Sequence, residues 1–179
     1  MTTLTRRAAL VAALATGVAL WTHAVAGSLS DSQDHDRIEA GNLVLIQPYA
    51  RIMGRTAKSG GVFMGIANRG EQADRLIGVE SPIAKKAAMH MTLIEDGIMK
   101  MRPLEDGVEI RAGETHAFRR GGDHIMLMGL TARPAEGETV PLTLIFLRAG
   151  RVDIEVPVDN ARKPGDGATH MNMNMDSDG

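Results

Sequence analysis

Methionine and histidine are concentrated in one stretch of the chain, residues 89–130, and both residue types bind soft metal ions. The stretch holds six of the twelve methionines and three of the six histidines. Because the chain has no cysteine, a soft-metal site here would use thioether sulfur and imidazole nitrogen. This ligand set suits copper(I) better than zinc, calcium or magnesium.

An Asp-Gly pair divides this stretch and predicts a β-hairpin. Asp96-Gly97 lies between two apolar runs, residues 89–94 and 98–104, and Asp-Gly between such runs is a strong signal for a two-residue turn.

The register of this hairpin brings two metal-binding side chains together. With a two-residue loop, Thr92 lies opposite Met101, and His90 becomes a diagonal neighbour of Met101 on the same face. Such neighbours lie about 7–8 Å apart at the backbone, within reach of long side chains. Met99 shares this face and is a possible secondary ligand.

A second motif, His124-Ile125-Met126, predicts two further ligands. Residues two apart on a strand share a face, so His124, Met126 and Met128 point the same way, and Met128 is another secondary candidate. A strand carrying them beside the hairpin would complete a four-ligand site of His90, Met101, His124 and Met126.

The order of these residues resembles the signature of the PCuAC family of periplasmic copper chaperones. The shared pattern is a His-Met pair, a methionine separated from that histidine by ten residues and a later His-x-Met, and residues 121–130 resemble the family's most recognisable stretch. The resemblance covers about residues 38–158. It implies a cupredoxin-like fold and delivery of copper to the copper A subunit of cytochrome c oxidase, directly or through a thiol-bearing assembly factor.

Short apolar segments separated by turn residues predict an all-β sandwich or barrel from residue 38 onward. Both a cupredoxin-like and an immunoglobulin-like sandwich fit this pattern, and the resemblance favours the former. With few aromatic residues, the core is expected to consist of Val, Ile, Leu and Met. The expected strands besides the hairpin are 43–46, ended by Pro48, then 61–68, 74–79, 108–110, 115–119, 124–130, 140–147 and 152–158.

Residues 1–26 are predicted to be an export signal peptide. Arg6-Arg7 precedes an uncharged apolar run, and Ala24-Val25-Ala26 forms a cleavage site. The paired arginines fit either the twin-arginine or the Sec route. We therefore expect a periplasmic protein with no stable membrane insertion after cleavage and, lacking cysteine, no lipoprotein anchor.

After the signal peptide, the sequence divides into a leader, one domain and a tail. Residues 27–37 are predicted to be a flexible leader, and residues 38–160 the copper-binding sandwich. Residues 161–179 are rich in Gly, Asp and Asn and are expected to be disordered without metal. They form either a solvated tail or a second copper site, open also to copper(II), with the candidate ligands His170, Met171, Met173 and Met175.

Methionine in strands is more often core filler than ligand. We interpret Met53, Met64, Met89 and Met91 in that way, and His116 as a structural or exposed histidine. His90 and His124 differ because each shares a face with a spaced methionine.

Several classes of function are disfavoured. Enzymatic activity is not expected, since there is no cysteine nucleophile, nucleophile-elbow motif or zinc-protease motif. A blue-copper electron carrier needs a cysteine ligand. The net charge of −2 and the unclustered basic residues argue against nucleic-acid binding.

The sequence thus predicts a periplasmic copper(I)-binding chaperone that releases its cargo by ligand exchange. The alternatives are a non-catalytic exported β-sandwich interaction domain and a periplasmic copper storage or detoxification protein.

Overall fold

The computed structural model describes residues 36–164, in which eleven β-strands form and no helix occurs. The all-β prediction is confirmed, and this part of the chain has no helix long and apolar enough to cross a membrane. The strands are β1 Arg37–Ala40, β2 Leu43–Arg51, β3 Ser59–Asn68, β4 Asp74–Glu80, β5 Ala84–Glu95, β6 Ile98–Pro103, β7 Val108–Ile110, β8 Thr115–Phe118, β9 His124–Leu130, β10 Thr139–Phe146 and β11 Gly150–Pro157.

The strands form two antiparallel sheets. The larger sheet has seven strands in the order β1-β2-β3-β9-β5-β6, with β8 also paired to β3, and the smaller has four in the order β11-β10-β4-β7. Strand β5 therefore lies between β9 and β6, which is the arrangement that the predicted four-ligand site requires.

The core lies between the two sheets and consists mainly of aliphatic side chains, as predicted. Burial alternates along β10, where every second residue from Val140 to Phe146 is buried. Phe118 and Phe146 belong to this core, whereas Phe63 is buried outside it. Full burial of one such side chain contributes about 1.5–3 kcal/mol, so this core supports a rigid platform for residues on the outer face.

The prediction that Pro48 ends β2 is wrong, because the strand continues to Arg51 through an irregularity. The pairing with β3 shifts register between Ile46 and Tyr49, and Gln47 has a positive φ of 48°. A bulge of this kind accommodates a proline, which cannot donate a ladder hydrogen bond. The continued strand carries Tyr49 and Arg51 towards the candidate site.

The hairpin prediction is confirmed in its turn and its register. Asp96 and Gly97 both have positive φ, 55° and 74°, as the favoured two-residue hairpin turn requires. Thr92 pairs with Met101. Strand β5 begins at Ala84, earlier than the sequence indicated, and this additional length pairs with β9.

Candidate metal centre

The pairing of β5 with both neighbours places the four predicted ligands on one face. His90 lies directly opposite His124 of β9 and opposite Pro103 of β6. Met101 lies opposite Thr92, which is two residues from His90 and therefore on the same face. Met126 is two residues from His124 and shares its face in the same way.

The two histidine rings are close enough to bind one ion. Their centroids are 6.0 Å apart and their planes are inclined by 25°. A metal–nitrogen bond is about 2.0–2.1 Å, so two imidazoles on one ion have centroids at most about 6–6.5 Å apart. The backbone pairing alone thus brings His90 and His124 to a bridging distance.

His124 is held by the loop that precedes β9. Its Nδ1 lies 3.0 Å from the carbonyl oxygen of Gly122, and that same oxygen accepts a hydrogen bond from the Thr92 amide at 3.3 Å. The carbonyl favours the tautomer with a proton on Nδ1, which leaves the Nε2 lone pair available to a metal. His124 is only 7% exposed, so its orientation is well fixed.

His90 has an unsatisfied ring nitrogen. Within the described part of the chain, its Nδ1 is buried and has no hydrogen-bond partner. A buried polar atom without a partner costs about 1–3 kcal/mol, and coordination to a metal ion would remove this cost.

An open cavity of about 780 Å³ lies beside these residues and is lined by Met101, His124 and Met126. Met99 also lines it, and the exposed fractions of Met101 and Met99 are 55% and 64%. Met128, the other secondary candidate, lies opposite Lys86 and does not line the cavity. Three of the four main candidates and Met99 therefore line the cavity, whereas His90 is not a lining residue and joins the group through its position opposite His124.

None of the described residues that line the cavity is acidic, and three cationic side chains, Arg51, Lys58 and Arg120, lie around it. Nor does any group of three or more His, Cys, Asp or Glu residues suited to a metal occur between residues 36 and 164. Calcium and magnesium require oxygen ligands. The cavity thus suits a soft ion of low charge.

Phe63, which the sequence analysis did not single out, forms one wall of the site. Its ring centroid is 6.4 Å from that of His124 and 5.0 Å from that of Tyr49. The ring leans over Gly61, where an added Cβ would come within 2.9 Å of it. Burial raises the pKa of Tyr49, and Arg162 lies 4.7 Å over its ring.

Met53 is the second residue whose place the sequence did not indicate. The prediction that it fills the core is wrong, because its side chain is 65% exposed and lines the cavity. It follows the end of β2 and therefore has no strand neighbour that would bury it. The other core assignments fit better: Met64 and Met89 are buried, and Met91 is half-buried.

Some predictions fall wholly or mainly on residues that the structure does not describe. These are the signal peptide 1–26, the leader 27–37 except its last two residues, and the tail candidates His170, Met171, Met173 and Met175.

Comparison with known proteins identifies a family for most of the domain. Residues 43–158 match the family described as "Putative lipoprotein LpqE-like". A protein of Leifsonia xyli subsp. xyli, "Putative lipoprotein Lxx21020", is 33% identical over 96 residues, which are 54% of this chain and 58% of the relative. The chain thus spans somewhat more than half the length of this relative.

Solved structures of PCuAC domains have the same fold. The copper-bound PCuAC domain from PmoF2 is 22% identical, with a TM-score of 0.58 over 69% of this chain and 97% of that domain. The copper(I) form of DR1885 from Deinococcus radiodurans is 23% identical, with a TM-score of 0.50 over 75% and 85% of the two chains. The predicted resemblance to PCuAC domains and the cupredoxin-like fold are confirmed.

The contact between Gly61 and Phe63 gives a test of the wall beside His124. In Gly61→Ala, the new Cβ forces the ring to shift, and we expect a loss of about 1–3 kcal/mol in the free energy of unfolding. The ring-proton NMR signals of His124 should move as well. Gly78→Ala is the control, because its Cβ would meet Ile145 at an ordinary 3.4 Å. Unchanged stability and unchanged His124 signals in Gly61→Ala would contradict the described wall.

Proposed function

The chain belongs to the LpqE-like family, and we propose that its domain is a copper(I)-binding chaperone that works outside the cytoplasm. The observation that carries the proposal is the shared face of His90, Met101, His124 and Met126, fixed by strand pairing on both sides of β5. The copper named in the descriptions of two similar structures supports it. So does the lipoprotein description of the relative and of the family, which fits the exported location that the predicted signal peptide implies.

The chemistry of the cavity favours copper(I) over copper(II). All four proposed ligands are neutral, and thioether sulfur is a soft donor that prefers the lower oxidation state. The surrounding cations, Arg51, Lys58 and Arg120, repel a divalent ion more strongly than a monovalent one, because Coulomb energy scales with charge.

Release by ligand exchange follows from the unequal exposure of the ligands. His124 is 7% exposed and Met101 is 55% exposed, so an approaching partner reaches Met101 before it reaches His124. A partner's sulfur ligand would replace the Met101 thioether first, while the histidines hold the ion in place. The copper remains in the same oxidation state throughout, and no covalent bond of the protein changes.

The proposed acceptor is the copper A subunit of cytochrome c oxidase, or a thiol-bearing assembly factor that serves it. Thiolate is a stronger soft ligand than thioether, so the transfer of copper(I) from this domain to a thiolate-bearing partner is favourable. Residues 165–179 are proposed to bind additional copper through His170, Met171, Met173 and Met175.

An anaerobic copper(I) competition titration against a coloured chelator tests the four-ligand set. We expect one tightly bound equivalent in the core domain, weakened at least about tenfold, the equivalent of about 1.4 kcal/mol, by Met101→Ala. Met91→Ala is the matched control, since Met91 lies on the same hairpin but alternates to the opposite face. Equal losses in the two variants would contradict the site, as would tight binding retained in His124→Ala/Met126→Ala.

Transfer separates a chaperone from a storage protein. Copper(I)-loaded protein is mixed with the metal-free soluble copper A domain, the two are separated, and copper is counted in each. We expect faster transfer than from a small-molecule chelator poised at the same free copper concentration, because a docked partner exchanges ligands directly. A rate equal to that of the chelator would favour the storage alternative.

Shortening the chain tests the proposed role of the tail. A protein ending at Pro164 keeps the contact of Arg162 with Tyr49, so its folded domain should retain the tight equivalent. Its total copper stoichiometry should fall because the His and Met ligands of residues 165–179 are gone. An unchanged stoichiometry would show that these residues do not bind copper.

A further inference from the structure

The exposed methionines of residues 36–164 share one location. Of the eight methionines in the described residues, three have exposed side chains, Met53, Met99 and Met101, at 65%, 64% and 55%. All three line the cavity beside His124. Met99 and Met101 share a face because they lie two residues apart on β6, whereas Met53 reaches the same cavity from a separate segment of the chain. Their shared position indicates a role as ligands.

Met53 approaches the cavity from the side opposite the hairpin. It lies just beyond the end of β2, next to the first residues of β3, whereas Met99 and Met101 lie on β6. In the sheet, β9 and β5 separate β3 from β6, so the cavity has a thioether on each of its two sides. Gly61, which pairs with Met126, adds no side chain between Met53 and the floor of the cavity.

The surroundings of Met53 suit weak binding of a soft monovalent ion. The Arg51 guanidinium donates a hydrogen bond to the Met53 sulfur at 3.4 Å and to the Asn160 carbonyl oxygen at 3.1 Å. A thioether sulfur has two lone pairs, so one remains free for a metal. The nearby positive charge lowers the affinity for any cation, and no acidic side chain among the described lining residues attracts a hard ion.

We propose that the mouth of this cavity is a second, weaker copper(I) position, with Met53 and Met99 as its thioether ligands on the two sides. The inference rests on the proposed function, because it makes these residues the place where copper(I) enters or leaves the four-ligand site. Binding there forms copper–sulfur bonds only, with no electron or proton transferred.

Methyl NMR of the chain from Gly27 onward, with ¹³C-labelled methionine methyl groups, resolves the two positions. Silver(I) is the probe, since it is a soft monovalent ion that does not change oxidation state under these conditions. We expect the first equivalent of silver(I) to shift the Met101 and Met126 signals. Later additions should shift the Met53 and Met99 signals, with an affinity for silver(I) at least about tenfold lower than that of the first equivalent. The signals of Met171, Met173 and Met175 report separately on the tail.

Leucine variants assign the signals and test the ligands. Met53→Leu should abolish or weaken the later shift of Met99 and leave the first equivalent unchanged. Met91→Leu, a half-buried control on β5, should alter neither event.

Two failures are distinguishable. If the first equivalent leaves Met101 and Met126 unmoved, the proposed function itself is wrong. If it moves them but Met53 does not respond over several equivalents, or Met53→Leu leaves the later shift of Met99 intact, only the second position is overturned.

Discussion

The site depends on one constraint, the simultaneous pairing of β5 with β9 and β6. A change of one residue in either register would turn a set of side chains to the opposite face. The left-handed turn at Asp96-Gly97 fixes the register on one side. On the other side, the core face of β5 and β9 fixes it, because Met89 and Ile125 are buried. The packing of the inner face therefore fixes the relative positions of the residues on the outer face. His90 and His124 lie opposite each other on paired strands, without any flexible element between them.

The electrostatics of the cavity complement this geometry. A site made of neutral ligands and bordered by three cationic side chains cannot hold an ion through opposite charge. Any copper(I) affinity of the proposed site would then come from the softness of sulfur and from the two imidazoles, one with its tautomer favoured by the Gly122 carbonyl and one with a buried nitrogen that has no partner among the described residues. Such a site would select by chemical type and not by charge.

Local pattern was sufficient to predict the hairpin, most strands and the shared face of the four candidate ligands, because alternation and turn chemistry are encoded within a few residues. It was insufficient for Phe63 and Met53. The position of Phe63 beside His124 results from the pairing of β3 with β9, which are far apart in sequence. Methionine is a residue type common in protein cores, and Met53 is exposed only because of the tertiary position of the segment after β2. The strand end predicted at Pro48 was wrong because a bulge allows β2 to continue through a residue that usually ends a strand.

The contact of Arg162 with Tyr49 fixes where the last described residues leave the domain. Arg162 also donates to Gln47 at 2.8 Å, and Pro164 lines the cavity. His170 is the sixth residue after Pro164, and a chain spans at most about 3.6 Å per residue. A binding group on so short a tether has an effective concentration in the millimolar range. Under the proposed role of residues 165–179, rebinding to this chain's own imidazole and thioethers would compete with loss of an ion from the cavity, however dilute the protein is.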